Sequence, residues 1–218
     1  MNKKKIICIA ISAIILIGLI ISFTLKFNYS LEYDKNTRLD IYLGKEYEIN
    51  EVEQISKDVF NEENVIVQKV EIFNDMVAIT VKEASDEQID NLLGKINEKY
   101  ETEIKKENIK IVDVPRVSLV DLLEKYVLPI TIAVILILAY ISIRYRKLGT
   151  SKVTIRTLAM IGGVELLYVS IIAITRIPVS RYTIPTGLTI GMLVLIYLVN
   201  SYENKLTKKL EESNKKKK

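Results

Sequence analysis

Four long apolar stretches decide what this chain can become. They run through residues 6–25, 126–143, 157–175 and 184–200, each about the 17 to 25 residues that a helix needs to cross a hydrocarbon core of roughly 30 Å. Of the 218 residues, 49% are hydrophobic and yet 27% are charged, so the apolar content must be segregated along the chain rather than spread as in one globular core. The expectation is a membrane protein with four transmembrane helices.

The chain has no histidine, no tryptophan and one cysteine, Cys8. No histidine-based triad, zinc site or intrachain disulfide can be assembled from such a set. No catalytic, cofactor-binding or metal-ligating constellation stands out, and the expectation is a protein that is not an enzyme. Cys8 comes only three residues after Lys5, too early for a lipoprotein acceptor behind a normal signal region, and reads as a lipid-facing or helix-packing residue. The first stretch has no small-x-small cleavage pattern after it, which favours an uncleaved anchor.

Charge sets the orientation. Outside the spans there are three Lys in the leader, five basic residues between spans two and three (Arg144, Arg146, Lys147, Lys152, Arg156), and seven beyond Tyr202, against only Arg176 and Arg181 in the other short loop. The positive-inside rule then places both termini in the cytoplasm, which four spans satisfy, and residues 26–125 outside. That outer segment holds 14 basic and 23 acidic side chains, a difference of −9. Such a split follows from orientation and gives no reason to expect a nucleic-acid partner.

Within the outer segment, Leu39, Ile41 and Leu43 alternate as in a half-buried strand. Asn50 with Glu53 has the form of a capping box, and Val52, Ile55, Val59 and Phe60 follow at helical spacing. Residues 64–73 and 76–82 read as two strands joined by a tight turn at Asn74-Asp75. Ser85 with Gln88 is a second capping box, ahead of the stripe Ile89, Leu92, Leu93 and Ile96, and Ile109 to Val114 closes the unit as a strand. The resulting β-α-β-β-α-β order over residues 30–115 is that of a ferredoxin-like domain, giving an α+β membrane protein with this domain between spans one and two. The acidic residues Glu46, Glu48, Glu51, Glu53, Glu62 and Glu63 could hold a hard cation but read better as a solvated face.

The layout of one span, an outer ferredoxin-like domain and further spans resembles the SecD/SecF family of protein-export membrane proteins. In that family the first span leads into Gly-x-Asp-Phe-x-Gly-Gly-Thr; here Ser30-Leu31-Glu32-Tyr33-Asp34-Lys35-Asn36-Thr37 stands in its place. Glu32 and Tyr33 keep the acidic and aromatic positions, the glycines are lost, and Asn36 can still supply a left-handed turn. Val112-Asp113-Val114-Pro115 looks like the family's exit from the domain, and Tyr140 to Arg144-Tyr145 like its end of span two. Ile184-Pro185-Thr186-Gly187-Leu188-Thr189-Ile190-Gly191-Met192 is similar to the family's Leu-Pro-x-x-x-x-x-Leu-Thr-Ile-Gly-Met. The resemblance implies an accessory role in export from a bacterial cell, with membrane lipid, translocon subunits, a SecD-like partner or exported polypeptides as partners. The abundance of Lys, Ile and Asn agrees with an AT-rich bacterial genome.

Two departures bear on mechanism. The family's proton-coupling carboxylates would fall on Leu195 in span four and on Gly163 in span three, and the full module has six spans where this chain reads as ending naturally after four, in a basic tail over 203–218. Glu165 is the only residue charged at neutral pH well inside any span, where a charge costs on the order of 3 kcal/mol. It either replaces the missing carboxylates in proton exchange, or it pairs with Ser170, Tyr168 or a partner's polar group or lies near the inner surface, eight residues from the cytoplasmic end of its span at Thr157, and the second, structural reading is favoured. Gly187 and Gly191 form G-x-x-x-G, and with Gly162 and Gly163 they let spans three and four pack closely, or a second copy dock. Pro129 and Pro185 are each expected in a first helical turn, where proline is cheap. Beside the export role stand two alternatives, a membrane-anchored binding or scaffold protein and a proton-linked transporter using Glu165.

Overall fold

The computed structural model describes residues 3–61, 64–70 and 73–215. In chain order its elements are α1 (Lys3–Thr24), β1 (Asn36–Tyr42), α2 (Ile49–Phe60), β2 (Ile66–Val70), β3 (Phe73–Val81), α3 (Asp86–Tyr100), β4 (Lys110–Val114), α4 (Leu119–Arg144), α5 (Thr150–Thr175) and α6 (Thr183–Lys215). They form two units, one of Met1–Asn28 with Leu119–Lys218 and one of Tyr29–Ser118.

The second unit is a four-stranded antiparallel sheet in the order β2-β3-β1-β4. β1 lies inside it because its alternate residues Leu39 and Ile41 are apolar and fully buried, while its register sets Leu39 opposite Ile79 on one side and Ile111 on the other. Val52, Val59 and Phe60 of α2 join Ile89, Leu92, Leu93 and Ile96 of α3 in one apolar cluster with Leu39, Ile41, Val77 and Ile79. Each such side chain stabilises by roughly 1.5–3 kcal/mol when fully buried. Both helices therefore serve a single core.

The capping box of α3 forms as the sequence indicates. The Gln88 N–H donates to Ser85 Oγ at 3.3 Å and the Ser85 N–H to Gln88 Oε1 at 3.0 Å. The box expected at Asn50 and Glu53 does not form, because α2 starts one residue before Asn50, with Glu48 at the capping position and no side-chain cap bond. Glu53 instead pairs with Lys57 at 2.5 Å.

The hairpin also differs from expectation. Pairing runs regularly from Ile66 with Thr80 to Lys69 with Val77, then slips so that Val70 faces Phe73. Asn74 and Asp75 thus lie inside β3 as part of an irregularity, and the strands join through residues 71 and 72, outside the described residues. The bulged backbone is held from elsewhere: the Leu43 N–H donates to the Asp75 carbonyl at 2.7 Å and the Tyr47 hydroxyl to the Met76 carbonyl at 2.8 Å. A bulge that exposes carbonyls finds donors outside the ladder. Glu62 and Glu63 likewise fall outside the described residues.

In the other unit, among the described residues, four helices are long and apolar enough to cross a membrane. α4 and α5 begin seven residues before the apolar runs they contain, at Leu119 and Thr150. Pro129 consequently lies in the interior of α4 rather than in its first turn, where it removes one intrahelical hydrogen bond. Pro185 is in the first turn of α6. The basic segment from 203 is helical as far as it is described, since α6 continues unbroken to Lys215. It does so because Leu198, Tyr202 and Leu206, spaced four apart, carry one buried stripe past the apolar run, against Ile141, Tyr145 and Val153. Helices α1, α4 and α6 all pack on α5.

Replacing Ser85 by Ala removes the α3 cap and should cost about 1 kcal/mol. In the full-length protein this is expected to appear as faster amide exchange along α3 with α2 unchanged, and equal protection in both proteins would refute the role given to the cap.

Candidate functional site

The carboxylate of Glu165 on α5 lies against the glycine face of α6. A Cβ built on Gly191 would fall 2.5 Å from Glu165 Oε1, and one on Gly187 would fall 3.0 Å from Oε2. A Cβ at either position would push the Glu165 carboxyl aside, so the two glycines, four residues and about one turn apart, make a slot that this carboxyl group occupies. The sequence reading treats G-x-x-x-G as a seam between helix backbones; here the occupant of the seam is a side chain. Among the described residues Glu165 has no hydrogen-bond or ion-pair partner.

The partners expected for Glu165 are engaged elsewhere. The Tyr168 hydroxyl donates to the Thr183 carbonyl at 2.9 Å, and its ring lies 3.0 Å from a Cβ built on Gly187. Ser170 Oγ donates to the Leu166 carbonyl at 2.7 Å and approaches the Ile15 carbonyl of α1 at 3.3 Å. Gly162 and Gly163 do not take part in close packing either: nothing lies within 4 Å of a Cβ built at either one. Their phase on α5 turns them away from the α6 glycines. The glycine that sequence reasoning missed is Gly18, where an added Cβ would fall 2.2 Å from the Ser170 Cβ. Its signal was present, since it is the only glycine in the first apolar run.

The segment Glu32, Tyr33 and Asn36 folds as a turn without a left-handed residue. The Tyr33 and Asp34 N–H groups both donate to the Ser30 carbonyl, at 2.9 and 3.0 Å. Asn36 is already the first residue of β1 and does not have a positive φ. Its side-chain amide closes the turn instead, donating to the Leu31 and Asp34 carbonyls at 2.9 and 3.0 Å. Asn36 is buried and Glu32 exposed. The Tyr33 carbonyl accepts from the Val117 N–H at 2.9 Å, tying the entry of the sheet unit to its exit.

At the end of the helical unit that carries the α4–α5 connection, Arg144 Nε and the Tyr145 hydroxyl both donate to Glu203 Oε1, at 3.1 and 3.0 Å. Tyr145 is fully buried, and burial together with Glu203 pushes its phenol up to about 12. Tyr202 stacks obliquely on it with ring centroids 5.4 Å apart and meets Thr157 Oγ1 at 3.1 Å. At the other end, the Val179 N–H donates to the Asn28 carbonyl at 2.8 Å and the Arg176 guanidinium donates to the Lys26 carbonyl.

The sheet unit carries an open groove of about 520 Å³ lined by Glu46, Tyr47, Glu48, Glu51, Lys69 and Tyr100. Glu51 is held below the usual carboxylate range by hydrogen bonds from Lys99 and Tyr100, and Lys69 Nζ sits over the Tyr47 ring at 5.2 Å. Glu51, Lys99 and Tyr100 thus satisfy one another at its wall.

No protein-family model and no curated protein matches the chain. A solved structure does, the crystal structure of SecDF in a super-membrane-facing form, with a TM-score of 0.55 and 16% sequence identity over 94% of this chain and 28% of that one. Four membrane-length helices and this likeness together define a multi-pass membrane protein. Its fold is SecD/SecF-like, and the chain spans less than a third of the length of SecDF.

Gly18→Leu should lower the thermal stability of the detergent-solubilised protein by about 1–3 kcal/mol through overpacking against Ser170. Gly162→Ala, facing open space, should stay within about 0.5 kcal/mol of the parent. Circular dichroism melts of the two variants decide it, and equal losses would remove the distinction drawn between these glycines.

Proposed function

We propose that the protein is a SecD/SecF-like accessory component of protein export, without enzymatic activity, in the plasma membrane of a bacterium. The observation that supports this reading is the extent of the likeness to SecDF: it covers 94% of the chain, so it includes both the helical unit and the sheet unit in one order. In this reading the sheet unit is a ferredoxin-like domain outside the membrane, in keeping with its β2-β3-β1-β4 order. Both termini are cytoplasmic, in keeping with the basic residues of the α4–α5 connection and of α6. The outer domain holds or receives exported polypeptides while the helices contact translocon subunits or a SecD-like partner.

Leu195 and Gly163, at the positions of the family's proton-coupling carboxylates, carry no titratable group. Export assistance here consists of binding and release. A second reading has its own observation: the Glu165 carboxyl is set into the Gly187 and Gly191 slot between α5 and α6, and acids that face a bundle interior at membrane depth commonly serve proton pathways. A scaffold protein unrelated to export is the outcome if neither reading survives.

Removing the protein should slow the release of secreted chains in pulse-chase experiments, and photoreactive residues in the sheet unit and α6 should crosslink to translocon subunits or exporting chains. Normal secretion kinetics with crosslinks only to itself would reduce the likeness to one of fold. Glu165→Gln keeps the shape of the slot, and we expect it to support secretion at the parental level. Lost activity at unchanged abundance would establish the proton-linked reading instead.

A further inference from the structure

The connection between α4 and α5 carries Arg144, Arg146, Lys147, Lys152 and Arg156, and no acidic residue occurs between Arg144 and Glu165. Glu203 faces this connection from α6, and it is occupied by Arg144 and Tyr145. Among the described residues, none of the remaining four cations pairs with a carboxylate, and all four are exposed. A fifth joins them from α6, because Lys209 Nζ donates to the Lys147 carbonyl.

These charges do not sit on a slack loop. Tyr145, Val153, Tyr202 and Leu206 are buried beneath them, with Leu148 packed against the same cluster. Arg146 and Lys147 lie in the one-turn 3₁₀ helix Arg146–Leu148, whose end is closed by the Gly149 N–H donating to the Arg146 carbonyl at 3.0 Å. Gly149 takes φ +97°, and a Cβ built there would fall 3.9 Å from the Lys152 Cβ. The turn therefore folds back over the start of α5 and holds Arg146, Lys147 and Lys152 on one packed base. Lys152 and Arg156, four apart on α5, share a face.

Apolar surface flanks the cluster. Ile143 is 74% exposed and Ile155 is 66% exposed, one beside Arg144 and the other beside Arg156. A soluble polyanion would gain nothing from these side chains. A molecule with acyl chains and an anionic head satisfies both features, and the cluster lies at the ends of membrane-length helices, at the depth of headgroups.

We propose that Arg146, Lys147, Lys152 and Arg156 form a binding site for the headgroup of an anionic phospholipid, whose acyl chains lie along Ile143 and Ile155. The backbone that carries these cations is already packed and pays little ordering entropy on binding, which separates a retained lipid from the diffuse attraction of any slack basic loop to an anionic surface. The site is independent of the export reading, since it concerns only the helical unit and its solvent.

Native mass spectrometry of the full-length protein, delipidated in detergent and titrated with phosphatidylglycerol or phosphatidylcholine, tests it. The parent should retain phosphatidylglycerol in preference, and glycerol 1-phosphate should not displace it. Arg146→Gln, Lys147→Gln and Lys152→Gln together should weaken retention by roughly 100-fold, about fivefold for each charge near the surface, with an unchanged circular dichroism melt. A control with Lys82, Lys95 and Lys110 of the sheet unit changed to Gln loses the same net charge and should retain the lipid as the parent does. Equal retention by the triple variant, an equal loss in the control, or displacement by glycerol 1-phosphate would each overturn the proposal. If the triple variant unfolds, Lys152→Gln alone should still show the fivefold loss.

Discussion

Three helices meet α5, and each meets it through a small or hydroxyl-bearing residue. Gly18 of α1 rests on Ser170, Gly187 and Gly191 of α6 receive Glu165 and Tyr168, and Ser142 of α4 reaches Thr154 Oγ1 at 2.8 Å. This follows from the solvent. Lipid tails are as apolar as leucine, so apolar area alone gives helices no reason to associate, and close packing with local hydrogen bonds must do so. The many exposed isoleucines and leucines of α1 and α4 belong to the same logic, since in a bilayer they are already solvated.

How much of this was legible depended on whether the deciding contact was local. Four membrane helices and a small antiparallel sheet follow from runs and alternations that the chain carries in itself, and the Ser85 box follows from two residues three apart. Helix ends were less legible. The continuation of α6 rests on Tyr202 and Leu206 finding Tyr145 and Val153, partners some fifty residues away, and the apolar run by itself stops near residue 200. The Asn74-Asp75 turn failed for a related reason: those residue types favour a turn locally, but Leu43 and Tyr47 supply donors to the backbone of Asp75 and Met76 and draw it into the sheet.

The site shows the same division. Glu165 was legible because a charge inside an apolar run is conspicuous, and Gly187 with Gly191 because of their spacing. That the carboxylate enters that glycine pair was not, because it depends on the rotational phase of α5 relative to α6. The same phase leaves Gly162 and Gly163 facing open space. Spacing identifies which residues share a face of one helix; it does not say which neighbour that face will meet.

The seam between α5 and α6 is built differently along its length. Toward the α4–α5 connection it is fastened by the Tyr202 hydroxyl on Thr157, while Glu203 of α6 accepts from Arg144 and Tyr145 at the end of α4. Oriented hydrogen bonds to a charged acceptor are the stronger kind, and displacing one leaves a charge to be solvated again. At Glu165 the contact is a carboxyl group against two glycines, and beside it the Tyr168 hydroxyl of α5 donates to the Thr183 carbonyl of α6 at 2.9 Å. The seam is therefore bonded on both sides of the slot, and the slot itself is filled by a side chain with no bond of its own among the described residues. The packed base beneath Arg146, Lys147 and Lys152 belongs to the end of the unit where Tyr145 and Tyr202 are buried together.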